Sequence, residues 1–136
     1  MHAGVQRLLR DLNTLYRAMP ALYQRDFTHE GFEWIDHNDA DRSVLSFIRK
    51  GSAPDDFVVI VCNFTPSPQP GYRIGVPKAG VYRERINTDS VHYGGSNAGN
   101  AFGEVQSQEV PWHGRSHSIE IAVPPLATVI FDWRTA

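Results

Sequence analysis

The chain has 136 residues, 41% of them hydrophobic and 21% charged, and carries a net charge of −2 at pH 7. That length suits one domain with one core, and the absence of a basic block excludes an electrostatic footprint for nucleic acid. No apolar run reaches a membrane span, residues 1–6 lack the charged start and apolar stretch of a signal peptide, and a single cysteine, Cys62, excludes an internal disulfide and points to a reducing cytoplasm.

In chain order, Val5, Leu8, Leu9, Leu12, Leu15, Tyr16 and Met19 recur at helical spacing, while Arg7, Arg10, Asp11, Asn13, Thr14 and Arg17 cover the other side. The spacing predicts an amphipathic helix from about Gly4 to Ala18, stopped by Pro20. After Ala21 the pattern changes to short strands. Residues 32–35 form a candidate strand closed by the polar run Asp36 to Asp41, and 43–50 a second one ending at the turn Gly51-Ser52-Ala53-Pro54. Residues 57–64 are apolar on both alternating faces and read as a central, doubly covered strand, with Cys62 a small core residue. Pro66, Pro68 and Pro70 forbid regular pairing, and two strands follow at 72–76 and 81–86.

Asn87 to Asn100 contains one aliphatic side chain of any size, Val91, among turn formers. A connection this long is functional, packed on itself or docked against something. Beyond it, 104–110 reads as a polar edge strand, Ile119, Ile121 and Val123 alternate with Ser118, Glu120 and Ala122, Pro124-Pro125 breaks the chain, and 126–133 is a last apolar strand. The expected fold is mainly β: an antiparallel β-sandwich with one N-terminal helix.

Several chemistries fail on the residues. Gly94 to Gly99 fits no phosphate-binding loop and opens no helix. His113 and His117 flank a glycine turn with no further ligand to complete a zinc set, and the Asp36–Asp41 run lacks the glycine and distal glutamate of a calcium loop; no metal and no cofactor is expected. Glycoside chemistry needs two facing carboxylates, one with a raised pKa. Among the candidates (Asp36, Asp39, Asp41, Asp55, Asp56, Glu33 and Glu84) only Glu33, between Phe32 and Trp34, is embedded in an apolar segment. Of the aromatics, Trp133 reads as core. Trp34, beside a polar turn, is either packed in the sandwich or an exposed face on which a sugar ring stacks.

Several segments together resemble the C-terminal end of bacterial 1,4-α-glucan (glycogen) branching enzymes. They are Gly4 to Asn13 with Leu15-Tyr16-Arg17, Gly31-Phe32-Glu33-Trp34-Ile35, Ser43 to Phe47, Asn63-Phe64-Thr65-Pro66, Tyr72 to Pro77, Asn87-Thr88-Asp89, Tyr93 to Asn97 through Asn100, and Pro124 to Thr128. The likeness spans essentially the whole chain in order; Phe102 and Tyr82 are mild departures. It implies the last helix of a (β/α)-barrel over residues 1–20 and an α-amylase-type C-terminal all-β domain over 21–136. It also implies that the catalytic carboxylates lie in the barrel, so no residue here carries a catalytic role and no turnover is expected of the chain alone.

On this likeness the helix stripe would face barrel strands. Without them, the helix is expected to fold back on the sandwich or drive self-association. α-Glucan is expected as a weak partner through Trp34. The 87–100 loop is expected to be structural, with Asn87, Asp89, Ser96, Asn97 and Asn100 satisfying the backbone and Tyr93 as packing anchor. A freestanding carbohydrate-binding module for α-glucans is the rival reading, and a complete small enzyme a third.

Overall fold

The computed structural model describes residues 2–100 and 103–135; the Phe102 departure lies outside them. Helix α1 spans Ala3–Ala18, and a 3-10 turn at Pro20–Leu22 follows it. Among the described residues eight strands come next: β1 Phe32–Asp39, β2 Val44–Lys50, β3 Phe57–Asn63, β4 Gln69–Val76, β5 Val81–Asn87, β6 Glu104–Gln106, β7 His117–Val123 and β8 Ala127–Arg134. They form a six-stranded sheet in the order β1-β2-β3-β8-β5-β6 and a two-stranded sheet, β4-β7. All pairings are antiparallel. The architecture is the expected β-sandwich with one helix.

β3 explains the layering. Val59 and Val61 point into the main core with Ile48, Val129 and Phe131 from the same sheet and Ile74, Ile119 and Ile121 from the second. Val58 and Ile60 point the other way, into a second cluster with Ile86 and Ile130, where Leu8, Leu12 and Leu15 of α1 and Met19 just after it cover them. A strand apolar on both faces needs cover on both, and here the second sheet supplies one and the helix the other. Cys62 lies half-buried on the helix side, accepting from Thr128 Oγ1 at 3.4 Å.

Four expectations change. The helical stripe is not one surface. At about 100° per residue, Leu8, Leu12, Leu15 and Met19 fill one sector of roughly 60° and Val5, Leu9 and Tyr16 the adjoining one. The first sector packs on the sheet, with Leu15 4% exposed; Val5 and Leu9 are 56% and 55% exposed. β1 runs on through the polar residues to Asp39, because an edge strand with register shifts after Trp34 and Asp36 keeps alternate side chains in water. β4 begins at Gln69, before Pro70, although its continuous ladder starts only at Tyr72. The expected 104–110 strand shortens to β6 plus an isolated bridge, Gln108 to Ser118. Tyr82, where the resembled family often has tryptophan, is fully buried and donates to the Lys78 carbonyl at 2.7 Å.

The two helix sectors give a direct expectation. Leu15→Ala should cost about 2–5 kcal/mol by urea denaturation, and Leu9→Ala no more than about 0.5 kcal/mol. Equal losses would show that α1 is not docked as described.

Candidate functional site

The long loop is built from its own polar groups. The Asp89 carboxylate accepts from Ser96 N at 3.0 Å, Ala98 N at 3.1 Å and Ser96 Oγ. Asn87 Oδ1 accepts from Asp89 N, and Asn97 Oδ1 from Val91 N. Asn97 holds a left-handed backbone, φ 66°, as its residue type allows. Tyr93, 9% exposed, donates to Asp11 Oδ2 of α1 at 2.6 Å. Gly4 of α1 sits so close that a Cβ there would lie 2.1 Å from the Tyr93 carbonyl oxygen. The loop thus docks on the helix.

At its far end Asn100 joins the two sheets. Its backbone N and Nδ2 donate to buried Glu84 on β5 at 3.1 and 2.8 Å. Its amide also exchanges hydrogen bonds with Ala122 of β7 at 2.9 and 3.0 Å. Glu84 is the anchor, which in the sequence is only one of several available carboxylates. Its one signal was a charge inside an apolar strand pattern, at a position where a buried carboxylate needs partners.

Glu33 is not an acid of raised pKa. Strand alternation separates it from Phe32 and Trp34, and the hydrogen bond from Lys50 Nζ at 2.9 Å, with Arg115 beside it, holds it below the ordinary carboxylate value despite partial burial. His113 and His117 do not converge. His113 Nδ1 accepts from Gly75 N at 3.1 Å, and His117 Nδ1 lies 3.1 Å from Ser116 Oγ. Among the described residues no three His, Cys, Asp or Glu side chains are placed to hold a metal, and no helix is long and apolar enough to cross a membrane.

Asn63, in the sequence Asn63-Phe64-Thr65, is buried and donates to the Ser67 and Pro124 carbonyls. Trp133 stacks on Phe57 with 5.7 Å between centroids and donates to the Ala79 carbonyl at 3.1 Å.

Trp34 is 43% exposed at the sheet edge. Cross-strand register puts it in one row with Phe47, Ile60, Ile130 and Ile86 on the helix-facing side. Residues Ile60, Ile130 and Ile86 of that row belong to the cluster under α1. Trp34 stands at the row's exposed end. Phe32 meets it edge-on at 5.0 Å and stacks on Phe47 at 5.1 Å; His37 lies 5.2 Å away. Phe32 also lines a cleft of about 610 Å3 with Glu33, Lys50, Phe57 and Lys78. The arrangement offers an apolar aromatic face beside hydrogen-bonding side chains.

Two tests of ancestry agree with this geometry. Residues 34–134 match the family model described as alpha amylase, C-terminal all-beta domain. The chain is 56% identical over 126 residues to the 1,4-alpha-glucan branching enzyme GlgB of Rubrobacter xylanophilus, covering 93% of this chain and 17% of that protein. The corresponding enzymes of Rhodospirillum rubrum and Aquifex aeolicus are 54% and 48% identical, over 95% and 94% of this chain. The chain therefore spans only 17% and 20% of those relatives' length.

The loop's acid response has a definite sign. Burial pushes the Asp89 carboxyl up, but hydrogen bonds from Ser96 and Ala98 outweigh it and hold the group below its ordinary 3.8. A lowered folded pKa adds stability that is present above the unfolded value and disappears as pH falls through the folded one. Asp89→Asn should therefore lower Tm at pH 7, and the gap to wild type should close below about pH 4. A gap of constant size across that range would mean that the carboxylate charge does not hold the loop.

Proposed function

The chain belongs to the alpha-amylase C-terminal all-beta domain family, and from that premise we propose that it is the non-catalytic C-terminal part of a 1,4-α-glucan branching enzyme. In this reading residues 1–20 are the last helix of the catalytic (β/α)-barrel and 21–136 the sandwich that braces it. The observation that carries the reading is the divided stripe of α1. One sector packs on the sheet, while Val5, Leu9 and Tyr16 remain open, and Tyr16 meets Tyr23 at 5.4 Å beside the fully exposed Phe27. Contiguous exposed apolar surface of this kind marks a docking face. The barrel is its partner, and in the isolated chain the same face is where two copies meet. The rest of the reaction, transfer of an α-1,4-glucan segment to a 6-hydroxyl, belongs to the parent enzyme.

A chimera tests this. With this chain in place of the matching 126 residues of the Rubrobacter xylanophilus relative, branching of amylose should persist. Leu9→Asp in the chimera should lower its Tm by several degrees, while Arg10→Asp should not. A chimera indifferent to Leu9→Asp would remove the docking role of that face.

The second part of the reading is a weak α-glucan contact at Trp34, where the indole, Phe32 and the neighbouring cleft supply a stacking face and polar groups. Trp34→Ala should diminish the tryptophan fluorescence change on titration with malto-oligosaccharide by the share that Trp34 contributes and leave Tm within about 2 °C of wild type. A fluorescence change of undiminished size in the variant would remove Trp34 from glucan binding.

A further inference from the structure

Trp34 and Asp36 are two apart in sequence, yet they face different layers. The register runs Trp34 to Phe47 and then Asp36 to Ser46, so two residues of β1 oppose one step of β2. This bulge turns Asp36 and Asp39 away from the Trp34 face and toward β4 of the second sheet. There the two aspartates, Arg42, Gln69, Tyr72 and Trp112 line a cleft of about 510 Å3, within the size range of small-molecule sites, roughly 300–1,000 Å3.

The cations of this cleft are each matched by a carboxylate. Asp39 accepts from the Tyr72 hydroxyl at 2.5 Å and lies 3.6 Å from Arg42, whose guanidinium sits 5.9 Å from the Tyr72 ring centroid. Asp36 accepts from Asn38 N at 2.9 Å and faces His113 Nε2 at 3.3 Å. His113 Nδ1 is already occupied by the Gly75 N–H, so Nε2 carries the proton of a neutral ring. Burial, the leading cause, holds its pKa below the ordinary histidine value. Arg73, at the back, is bound to Ser118 Oγ at 2.7 Å and Glu120 at 3.1 Å. Arg42 and Arg73 are matched by Asp39 and Glu120, so an anion finds no excess of positive charge, while Asp36 beside a neutral His113 keeps its capacity to accept from hydroxyls.

What remains is a wall of hydrogen-bonding groups and one flat face. Trp112 is 45% exposed at the cleft mouth, and its nearest ring is His113 at 6.2 Å, roughly perpendicular. A neutral polyhydroxylated ring fits this set: its C–H face on the indole, its hydroxyls toward Asp36, Asp39, Arg42 and Gln69. We propose that this cleft is a second α-glucan subsite, distinct from the Trp34 cluster and lying past the bulge of the same edge strand. The identity of the sugar rests on the glucan reading above; the existence of a separate site rests on the cleft.

The three tryptophans make the test direct, since each indole N–H gives its own signal in an 15N-correlated NMR spectrum. Titrating the 136-residue chain with maltoheptaose should shift the Trp112 signal saturably and leave Trp133 still. The Trp112 shift should survive Trp34→Ala and weaken at least about tenfold in Gln69→Ala or Arg42→Ala, a change of about 1.4 kcal/mol. A shift of Trp34 with Trp112 stationary overturns the second subsite and leaves the first standing. A stationary Trp34 and Trp112 overturn both. A Trp112 shift that both polar variants leave intact shows stacking without the cleft, and likewise overturns the proposal.

Discussion

The structure depends on a strand pair that is apolar on both faces. β3 and β8 run side by side through the middle of the six-stranded sheet, sending Val59, Val61, Val129 and Phe131 one way and Val58, Ile60 and Ile130 the other. Each face left in water would cost about 1.5–3 kcal/mol per large side chain, so neither the second sheet nor the helix is optional. The helix is therefore part of the sandwich's own packing. Its stripe is wider than this one contact, which leaves Val5, Leu9 and Tyr16 open.

The long loop follows from the helix. A polar segment packed over a helix must satisfy its own backbone or lose hydrogen bonds to burial, and Asp89 with the asparagines does so. Tyr93 then fixes the loop to Asp11 and, through the close approach at Gly4, to the start of α1. Asn100 carries the restraint across to both sheets by way of Glu84 and Ala122. Loop, helix and sheets thus form one mechanical unit.

The edge strand β1 gives the domain its variety of surface. Before the bulge it extends the helix-facing apolar row into solvent as Trp34; after it, the same strand presents carboxylates to the second sheet. Edge strands tolerate such shifts because only one side of their ladder is engaged. A family domain that is elsewhere structural can carry ligand-facing groups there without disturbing its core.

Much of this was legible in the residues alone. The 3.6 and 2.0 periodicities of the apolar side chains determined the helix, the doubly covered β3 and the sandwich, since those periods are properties of local backbone geometry. The ordered segments from Gly4 to Thr128 determined the family. Local pattern could not separate the two sectors of α1, because hydrophobicity does not say which neighbour covers it. Nor could it place Glu33 against Lys50 and Arg115, enclose Glu84 with Asn100, or set His113 beside Asp36. Those pairings join residues from 16 to 82 positions apart, and only the stacking of strands brings them together. The one-residue bulge after Trp34 decided the rest: period-two reasoning puts Trp34 and Asp36 on one face, and tertiary pairing puts them on two.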